Sequence, residues 1–268
     1  MAGRSVLCAA AGITAALLLS PAPATAAHAD APAVARTDAA AAVHADDSGP
    51  SARALADEAR ANLLKARSVH LTFTDHHTRG GRATPASMDL DLDRAGNCVG
   101  RLMMSAGGGS VELVKRGDQV WMKPDTTFWK AQVPGRQGET VAEVFKDRYI
   151  HGSTHDSALR GMAGTCDLTA FQQRAAAGSA HGAKLTKGKE TTRDGTKVIP
   201  LKGMKDGKKT VMYVTSALPH QLVEATRKGA GTDQSLTFTD YDEPVPSATP
   251  AANDSVDVSR LLRELRNA

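Results

Sequence analysis

Residues 69–74 read VHLTFT and residues 88–93 read MDLDLD, and these two short stretches decide the fold. In the first, Val69, Leu71 and Phe73 alternate with histidine and threonine, and in the second each apolar residue is followed by an aspartate. Successive side chains of a β-strand point to opposite faces of the sheet. This period of two therefore predicts antiparallel strands with one buried and one solvated face.

The same alternation continues outward along the chain, interrupted by glycine-rich turns such as residues 107–109, where glycine can adopt a positive φ without strain. The further predicted strands are Cys98–Ala106, Ser110–Lys115, Gln119–Lys123, Thr127–Gln132, Ala183–Thr192, Lys197–Lys202, Thr210–Thr215, Gln221–Arg227 and Ser235–Tyr241.

Helical spacing replaces the alternation before the first strand and again in the middle of the chain. Leu55, Ala59 and Leu63 recur every four residues after Ser51, which is a suitable N-cap. The middle helices are predicted around Val141–Tyr149, at Asp156–Met162 and at Leu168–Ala176. Helices grouped within an antiparallel meander predict an α+β fold and not a parallel βαβ sheet.

The two ends of the chain differ in composition from this body, which we assign to one domain at residues 51–246. Residues 1–29 have the basic, apolar and small-residue layout of a secretory signal peptide, and we expect cleavage between Ala26 and Asp30. An uncleaved membrane anchor is the alternative. Residues 30–50 are predicted to be a disordered Ala-rich linker, and residues 247–268 a Pro/Ala-rich tail that ends in a short helix.

These features predict an exported chain, either secreted or held in the cell envelope, that is a monomer. The charged fraction of 23% is ordinary for a folded domain, and the aromatic fraction of 4% leaves the core mainly to aliphatic residues and methionine. Cys98 and Cys166 remain after processing, and in an oxidising compartment we expect them to form a disulfide. Two buried free thiols are the alternative.

The sequence offers no convincing catalytic or metal-binding pattern. His151 and His155 are spaced as on a helix face, but the glycine between them makes a solvated loop the better interpretation, as it is for His76–His77. The aspartates at residues 89, 91 and 93 lack the later glycine and glutamate of a calcium loop. Because nucleophile-elbow, Walker A and dinucleotide motifs are also missing from the sequence, we predict no enzyme activity, no cofactor and no metal.

The segment Lys184–Lys209 is the most basic part of the chain, with nine lysines and arginines against three acidic residues. It contains no aromatic residue for base stacking, which argues against nucleic acid as a partner. It is predicted to be either a solvated hairpin or a weak contact to an anionic membrane or cell-wall surface.

The order of many weak motifs resembles the LppX/LprAFG-type envelope lipoproteins, within the wider LolA/LolB-like lipoprotein-carrier fold. The resemblance covers roughly residues 52–246. The segments that carry it are Ala66–His70, Gly96 with Cys98, Gly108–Val114, Gly117–Lys123, Phe128–Trp129, Cys166–Leu168, Leu218–Val223, Phe238–Tyr241 and Glu243–Val245. One departure is that many relatives carry an anchoring cysteine at the end of the signal peptide, and this chain has none there.

The resemblance implies a strongly curved antiparallel half-barrel with helices packed in its concave face. It also implies an apolar cavity between the two layers that binds acyl chains of a lipid or an acylated protein. An envelope sensor or interaction domain on the same fold is the alternative. The candidate cavity residues are Leu102, Met104, Val111, Leu113, Trp121, Met212 and Phe238 on strands, Phe145 and Leu168 on helices, and Phe128 and Trp129 at the rim. A slip of one residue in a strand would reverse its assigned face.

Overall fold

The computed structural model describes residues 49–77, 81–82, 84–177, 184–205 and 207–267. The predicted signal peptide and nearly all of the predicted linker lie outside these residues. The strands are β1 Ser68–Asp75, β2 Pro85–Asp93, β3 Cys98–Met104, β4 Ser110–Arg116, β5 Gln119–Pro124, β6 Tyr149–Ser153, β7 Leu185–Lys187, β8 Thr191–Arg193, β9 Thr196–Lys205, β10 Lys208–Thr215, β11 Leu222–Gly229, β12 Thr232–Thr239 and β13 Ser255–Asp257. The helices are α1 Ala52–Lys65, α2 Thr126–Gln132, α3 Arg136–Val144, α4 Arg160–Ala163, α5 Leu168–Ala177 and α6 Val258–Asn267, with 3₁₀ turns at Gly164–Cys166 and Ala252–Asp254.

All thirteen strands belong to one open, curved sheet. The order is β13-β6-β5-β4-β3-β2-β1-β12-β11-β10-β9-β7, with β8 paired to β9. Every pairing is antiparallel except that of β13 with β6. β1 lies at the centre, between β2 and β12. Its pairing with β12 joins the first half of the chain to the last strands. The predicted α+β half-barrel is confirmed.

The helices cover one face of the sheet, which we call the inner face. Ser51 caps α1 by accepting a hydrogen bond from the backbone N–H of Ala54, and the predicted four-residue spacing buries Leu55, Ala59 and Leu63. The first part of α1 packs over β10 and β11. The other helices build the main core with the inner faces of β1–β6 and β12.

Four predicted elements differ in the structure. The predicted helix Asp156–Met162 is a turn up to residue 159, because Asp156 accepts a hydrogen bond from the backbone N–H of Ser153 at 2.6 Å, and only Arg160–Ala163 is helical. The predicted strand Ala183–Thr192 is two short strands, β7 and β8, separated by residues 188–190, and Ala183 lies outside the described residues.

The segment predicted as the strand Thr127–Gln132 is the helix α2, because the side chain of Asp125 accepts the backbone N–H of Phe128 at 2.6 Å and caps a helix. Tyr149 was assigned to a helix and instead begins β6. Its backbone continues into a pairing with β5 that helix periodicity could not reveal.

The tail predicted to follow the domain at residue 246 also takes part in the fold. Its segment β13 adds a parallel strand to the edge of β6, and α6 follows directly. Val256, Val258 and Leu261 are buried in the main core. The tail therefore covers one end of the same apolar core. Among the described helices, none combines the length and the apolar character needed to cross a bilayer.

Candidate apolar binding site

The inner face of the sheet collects most of the side chains that the sequence predicted for a cavity. Leu102, Val111 and Leu113 project from β3 and β4 and are fully buried. Phe145 and Leu168 reach them from the helical layer and are also fully buried. One continuous apolar cluster contains nine of the predicted residues, namely Leu102, Met104, Val111, Leu113, Phe128, Trp129, Phe145, Leu168 and Phe238. Phe128 and Trp129 were predicted at the rim and are instead buried within the cluster.

Two predicted residues lie elsewhere. Met212 is on the inner face, but it packs in a separate cluster under α1 with Leu201 and Val214. Trp121 is on the opposite, outer face of β5, where its ring stacks on that of His151 with centroids 4.7 Å apart. The prediction that Trp121 lies on the inner face is therefore wrong. Its neighbours in β5, Val120 and Met122, point to the inner face instead.

Trp129 has the most unusual environment in this cluster. It is only 4% exposed, and its ring lies between those of Phe128, at 5.7 Å, and Phe145, at 6.1 Å between centroids. Its indole N–H is buried and has no hydrogen-bond partner in the described part of the chain. Buried donors are nearly always paired, so an unpaired one in an otherwise apolar layer requires an explanation.

A disulfide joins the helical layer to the sheet on one side. Cys98 at the start of β3 is bonded to Cys166 at the end of the 3₁₀ turn before α5, with Cα atoms 5.5 Å apart. The predicted disulfide is thus confirmed in the structure. Gln172 of α5 adds hydrogen bonds of 2.9 Å to the carbonyl oxygens of Leu63 and Ala66, which hold α5 against the end of α1.

The helix pair α2–α3 has no such covalent link. Asp125 ties its start to the sheet, because its carboxylate accepts the backbone N–H and the hydroxyl of Ser110 at 2.9 Å. The two helices pack mainly against each other, and α2 touches β4 at a few positions. Gln132 at the end of α2 also donates a hydrogen bond to the carbonyl oxygen of Arg82 at 2.7 Å, and α3 contacts α6. The side of the core under α2–α3 is therefore held by apolar packing and by a few hydrogen bonds, without a disulfide.

Two cavities are described, and both lie outside the packed core. One is a groove of about 520 Å³ at the end of the sheet next to Cys166, lined by the turns at residues 94–96 and 117–118 and by residues 160–169. The other, of about 150 Å³, lies on the outer face and is lined by Val69, His70, Asp91 and residues of the 240–246 segment. The nine clustered residues are each at most 7% exposed and belong to one buried apolar cluster between sheet and helices.

Sequence reasoning missed several members of the core. Met122 and Ile150 lie on the inner face beside the predicted residues, and Leu159 and Val258 close the cluster from the α4 and α6 sides. The alternation of Val120 and Met122 around Trp121 was the available signal for the first of these. For Ile150, the helical spacing of its neighbours concealed the strand.

The outer face carries a polar row across β3 to β6. The carboxylate of Glu112 accepts hydrogen bonds from the guanidinium of Arg101 at 2.6 Å, the ammonium of Lys123 at 2.8 Å and the hydroxyl of Tyr149 at 3.0 Å. Partial burial opposes ionisation of Glu112, but the hydrogen bonds from Lys123 and Tyr149 and the nearby cations outweigh it and lower the pKa of Glu112 below its ordinary value. Burial and the bond to Glu112 raise the pKa of Tyr149.

Comparison with known proteins identifies the fold. No family model matches the sequence, and no curated protein matches it. Among solved structures, LprF of Mycobacterium bovis matches with a TM-score of 0.50 at 14% identity, over 75% of this chain and 97% of LprF. The chain has an LprF-like fold. The resemblance found in the sequence is thereby confirmed for the fold.

Two further structures match more weakly. The lipoprotein LppX of Mycobacterium tuberculosis has a TM-score of 0.45 at 14% identity, over 73% of this chain and 97% of LppX. A LolA superfamily protein of Nitrosomonas europaea has a TM-score of 0.22 at 9% identity, over 74% of this chain and 96% of that protein.

Proposed function

We propose that this chain is a non-catalytic protein of the cell envelope that binds the acyl chain of a lipid or an acylated protein between the inner face of the sheet and the helices. The observation that carries the proposal is the unpaired indole N–H of Trp129 within the apolar cluster. In a ligand with a hydrocarbon chain and a carbonyl oxygen, the oxygen accepts the hydrogen bond of the indole N–H, and the chain packs against the apolar cluster.

Ligand binding changes the surroundings of the Trp129 N–H group. A buried donor without a partner costs about 1–3 kcal/mol, which an ester or carboxyl oxygen of a bound ligand recovers. The hydrocarbon chain contributes about 0.8 kcal/mol for each CH₂ removed from water. Leu113, Phe145 and Met104 offer it apolar and partly flexible contacts.

Binding requires the two layers to separate, because the cluster is packed. The disulfide and the hydrogen bonds of Gln172 hold the α5 side, whereas the α2–α3 side is held mostly by apolar packing. We therefore propose that α2–α3 moves away from the sheet to admit the ligand, and that Trp129 on α2 moves with it.

We also propose that the chain is exported and that its basic hairpin contacts an anionic surface. The predicted signal peptide supports export and processing near residues 27–30, and the domain is proposed to act as a monomer. The hairpin of β9 and β10 supports weak contact with an anionic surface, because Lys205 lies directly opposite Lys208. Opposed like charges destabilise a sheet, and an anionic partner relieves that repulsion.

The test uses the two tryptophans of the chain. In a Trp121→Phe variant, Trp129 is the sole tryptophan, and a dansyl-labelled fatty acid that binds beside it should quench its emission by energy transfer. The matched variant Trp129→Phe keeps an apolar ring but removes the N–H. We expect it to bind the probe about five- to tenfold more weakly, as measured by dansyl fluorescence, since one net hydrogen bond of about 1 kcal/mol is lost.

The two measurements test acyl binding and the contact of the Trp129 indole with the ligand separately. Absence of any saturable binding by the unmodified protein would contradict an acyl-binding function. Equal affinity of the unmodified protein and Trp129→Phe would remove the indole from the ligand contact while leaving the binding itself established.

A further inference from the structure

We propose that His70, Asp91 and Asp240 form a binding site for one divalent transition-metal ion on the outer face of the sheet. The three residues come from neighbouring elements. His70 of β1 lies directly opposite Asp91 of β2 on one side and opposite Thr239 of β12 on the other, and Asp240 follows Thr239. One donor atom from each of the three side chains lies within 4.8 Å of the other two.

His70 has a carboxylate near each of its ring nitrogens. Nδ1 lies 2.8 Å from Asp91 Oδ1, and Nε2 lies 3.5 Å from Asp89 Oδ1 and from Thr72 Oγ1. A metal-binding histidine typically uses one nitrogen for the ion while the other donates its N–H to a carboxylate, which fixes the ring and its tautomer. The Thr72 hydroxyl, which is in hydrogen-bond contact with Nε2, and the Asp89 carboxylate are placed to fix the ring in this way, while Asp91 and His70 Nδ1 face the ion.

The geometry needs only small movements. Ligand atoms about 2.0–2.1 Å from a tetrahedral Zn²⁺ are about 3.4 Å apart. Asp91 and His70 Nδ1 must therefore separate by roughly half an ångström, and the wider pairs must close. Asp240 is exposed at the start of a turn and can make this adjustment.

The charges around the site favour a cation. Within the part of the chain that the structure describes, Asp89, Asp91 and Asp240 form no ion pair with lysine or arginine. They therefore place three negative charges around one histidine on a protein whose net charge is +4. A divalent ion neutralises this local excess.

There is also room for the ion and its water ligands. The cavity of about 150 Å³ on the outer face is lined by the three proposed ligands and by Glu243. Ser68 donates to the carbonyl of Glu243 at 2.5 Å, and the guanidinium of Arg116 donates to the carbonyl oxygens of Pro246 and Ala248. These bonds hold the 243–248 segment over the site.

The donor set points to the class of ion. One imidazole nitrogen and two carboxylate oxygens, with the remaining positions left to water, suit zinc and similar transition metals better than calcium, which takes six to eight oxygen ligands. Because the ion would join β1, β2 and the chain leaving β12, its binding is expected to raise the thermal stability of the domain.

The experiment titrates the metal-stripped full chain with Zn²⁺ by calorimetry and measures its melting temperature with and without Zn²⁺. We expect one site that is weakened at least tenfold by His70→Asn and by Asp240→Asn. Asp240 is exposed, so its variant is expected to fold even if a change at His70 disturbs the sheet. The matched control is His151→Asn on the same face, whose ring stacks on Trp121 away from the cluster.

Cobalt provides a direct reading of the ligands. Co²⁺ bound by the unmodified protein is expected to show visible absorption that is lost in His70→Asn and kept in His151→Asn. Unchanged Zn²⁺ affinity in both His70→Asn and Asp240→Asn, or no binding by the unmodified protein, would overturn the site. The result is independent of acyl-probe binding, which involves the other face of the sheet.

Discussion

Cys98 and Cys166 join the first residue of β3 to the turn that precedes α5, across 68 positions of sequence. Among the described residues, this bond is the disulfide that joins the sheet to the helical layer. It therefore fixes the side of the core opposite to the α2–α3 pair that we propose to move.

Removing this bond should destabilise the domain strongly. In the chain-entropy treatment, a cross-link that closes a loop of this size contributes about 4 kcal/mol. We expect the double variant Cys98→Ala/Cys166→Ala to lose up to that amount in urea unfolding. Reduced unmodified protein should behave similarly, and alkylation followed by mass measurement reports the bond directly. Two alkylated cysteines in unreduced exported protein would contradict it.

Gly100 should tolerate no side chain. It lies in β3 between Leu90 and Leu113, and a Cβ atom there would lie 2.0 Å from the backbone oxygen of Asp89. We expect Gly100→Ala to cost about 1–3 kcal/mol or more, because two central strands must separate. The control is Gly164→Ala, where φ is −66° and no atom lies within 4 Å of the added Cβ. Equal unfolding midpoints for the two variants would contradict this expectation.

The central strands could be predicted from sequence because burial there follows the local alternation. Val69, Leu71 and Phe73 are all buried in β1, as their spacing indicated. Trp121 shows the limit of that reasoning, since a bulky aromatic residue was assigned to the core while the smaller Val120 and Met122 occupy it. Alternation fixes which residues share a face, and tertiary packing decides which face is buried.

Other features depend on contacts between distant parts of the chain. The pairing of β13 with β6 joins residues more than a hundred positions apart, and three residues such as Ser255–Asp257 carry no strand signal of their own. The cluster of His70, Asp91 and Asp240 likewise arises from the register of β1 with both neighbours. By contrast, the helix α2 had a local signal, the capping residue Asp125, which the strand prediction overlooked.

Glu112 should make stability depend on pH. Its pKa in the folded protein lies below its ordinary value, so the stabilisation is present above the unfolded-state pKa and is lost as the pH falls through the folded-state pKa. At neutral pH, Glu112→Gln is expected to cost about 0.5–1 kcal/mol, as for partly exposed ion pairs. The difference from the unmodified protein should shrink below about pH 4.

The control for this experiment is Glu143→Gln at the exposed end of α3, since no side-chain partner is described for Glu143. Urea unfolding of the unmodified protein, Glu112→Gln and Glu143→Gln between about pH 3 and pH 7 measures the cost of each substitution and its change with pH. A penalty for Glu112→Gln that stayed constant down to the acid end would show that packing, and not ionisation of Glu112, causes it.

The hairpin of β9 and β10 should contact anionic membranes through its outer face. Met204 is 54% exposed and lies directly opposite Lys209, which in turn lies opposite Lys228. An exposed apolar side chain beside lysines suits the boundary between lipid head groups and acyl chains. The lysines supply screened attraction, and the methionine supplies an apolar contact that salt does not weaken.

These two contributions can be separated with phosphatidylglycerol vesicles. Lys209→Gln is expected to weaken binding by up to about fivefold at low salt, since one cation near such a surface contributes about 1 kcal/mol. That loss should disappear at about 1 M salt, where the Debye length is about 3 Å. Met204→Ser should weaken binding by a similar factor at both salt concentrations. The control Lys146→Gln removes one charge from the connection after α3 and should leave binding nearly unchanged. If Lys146→Gln weakened binding as much as Lys209→Gln, net charge and not this hairpin would account for the attraction.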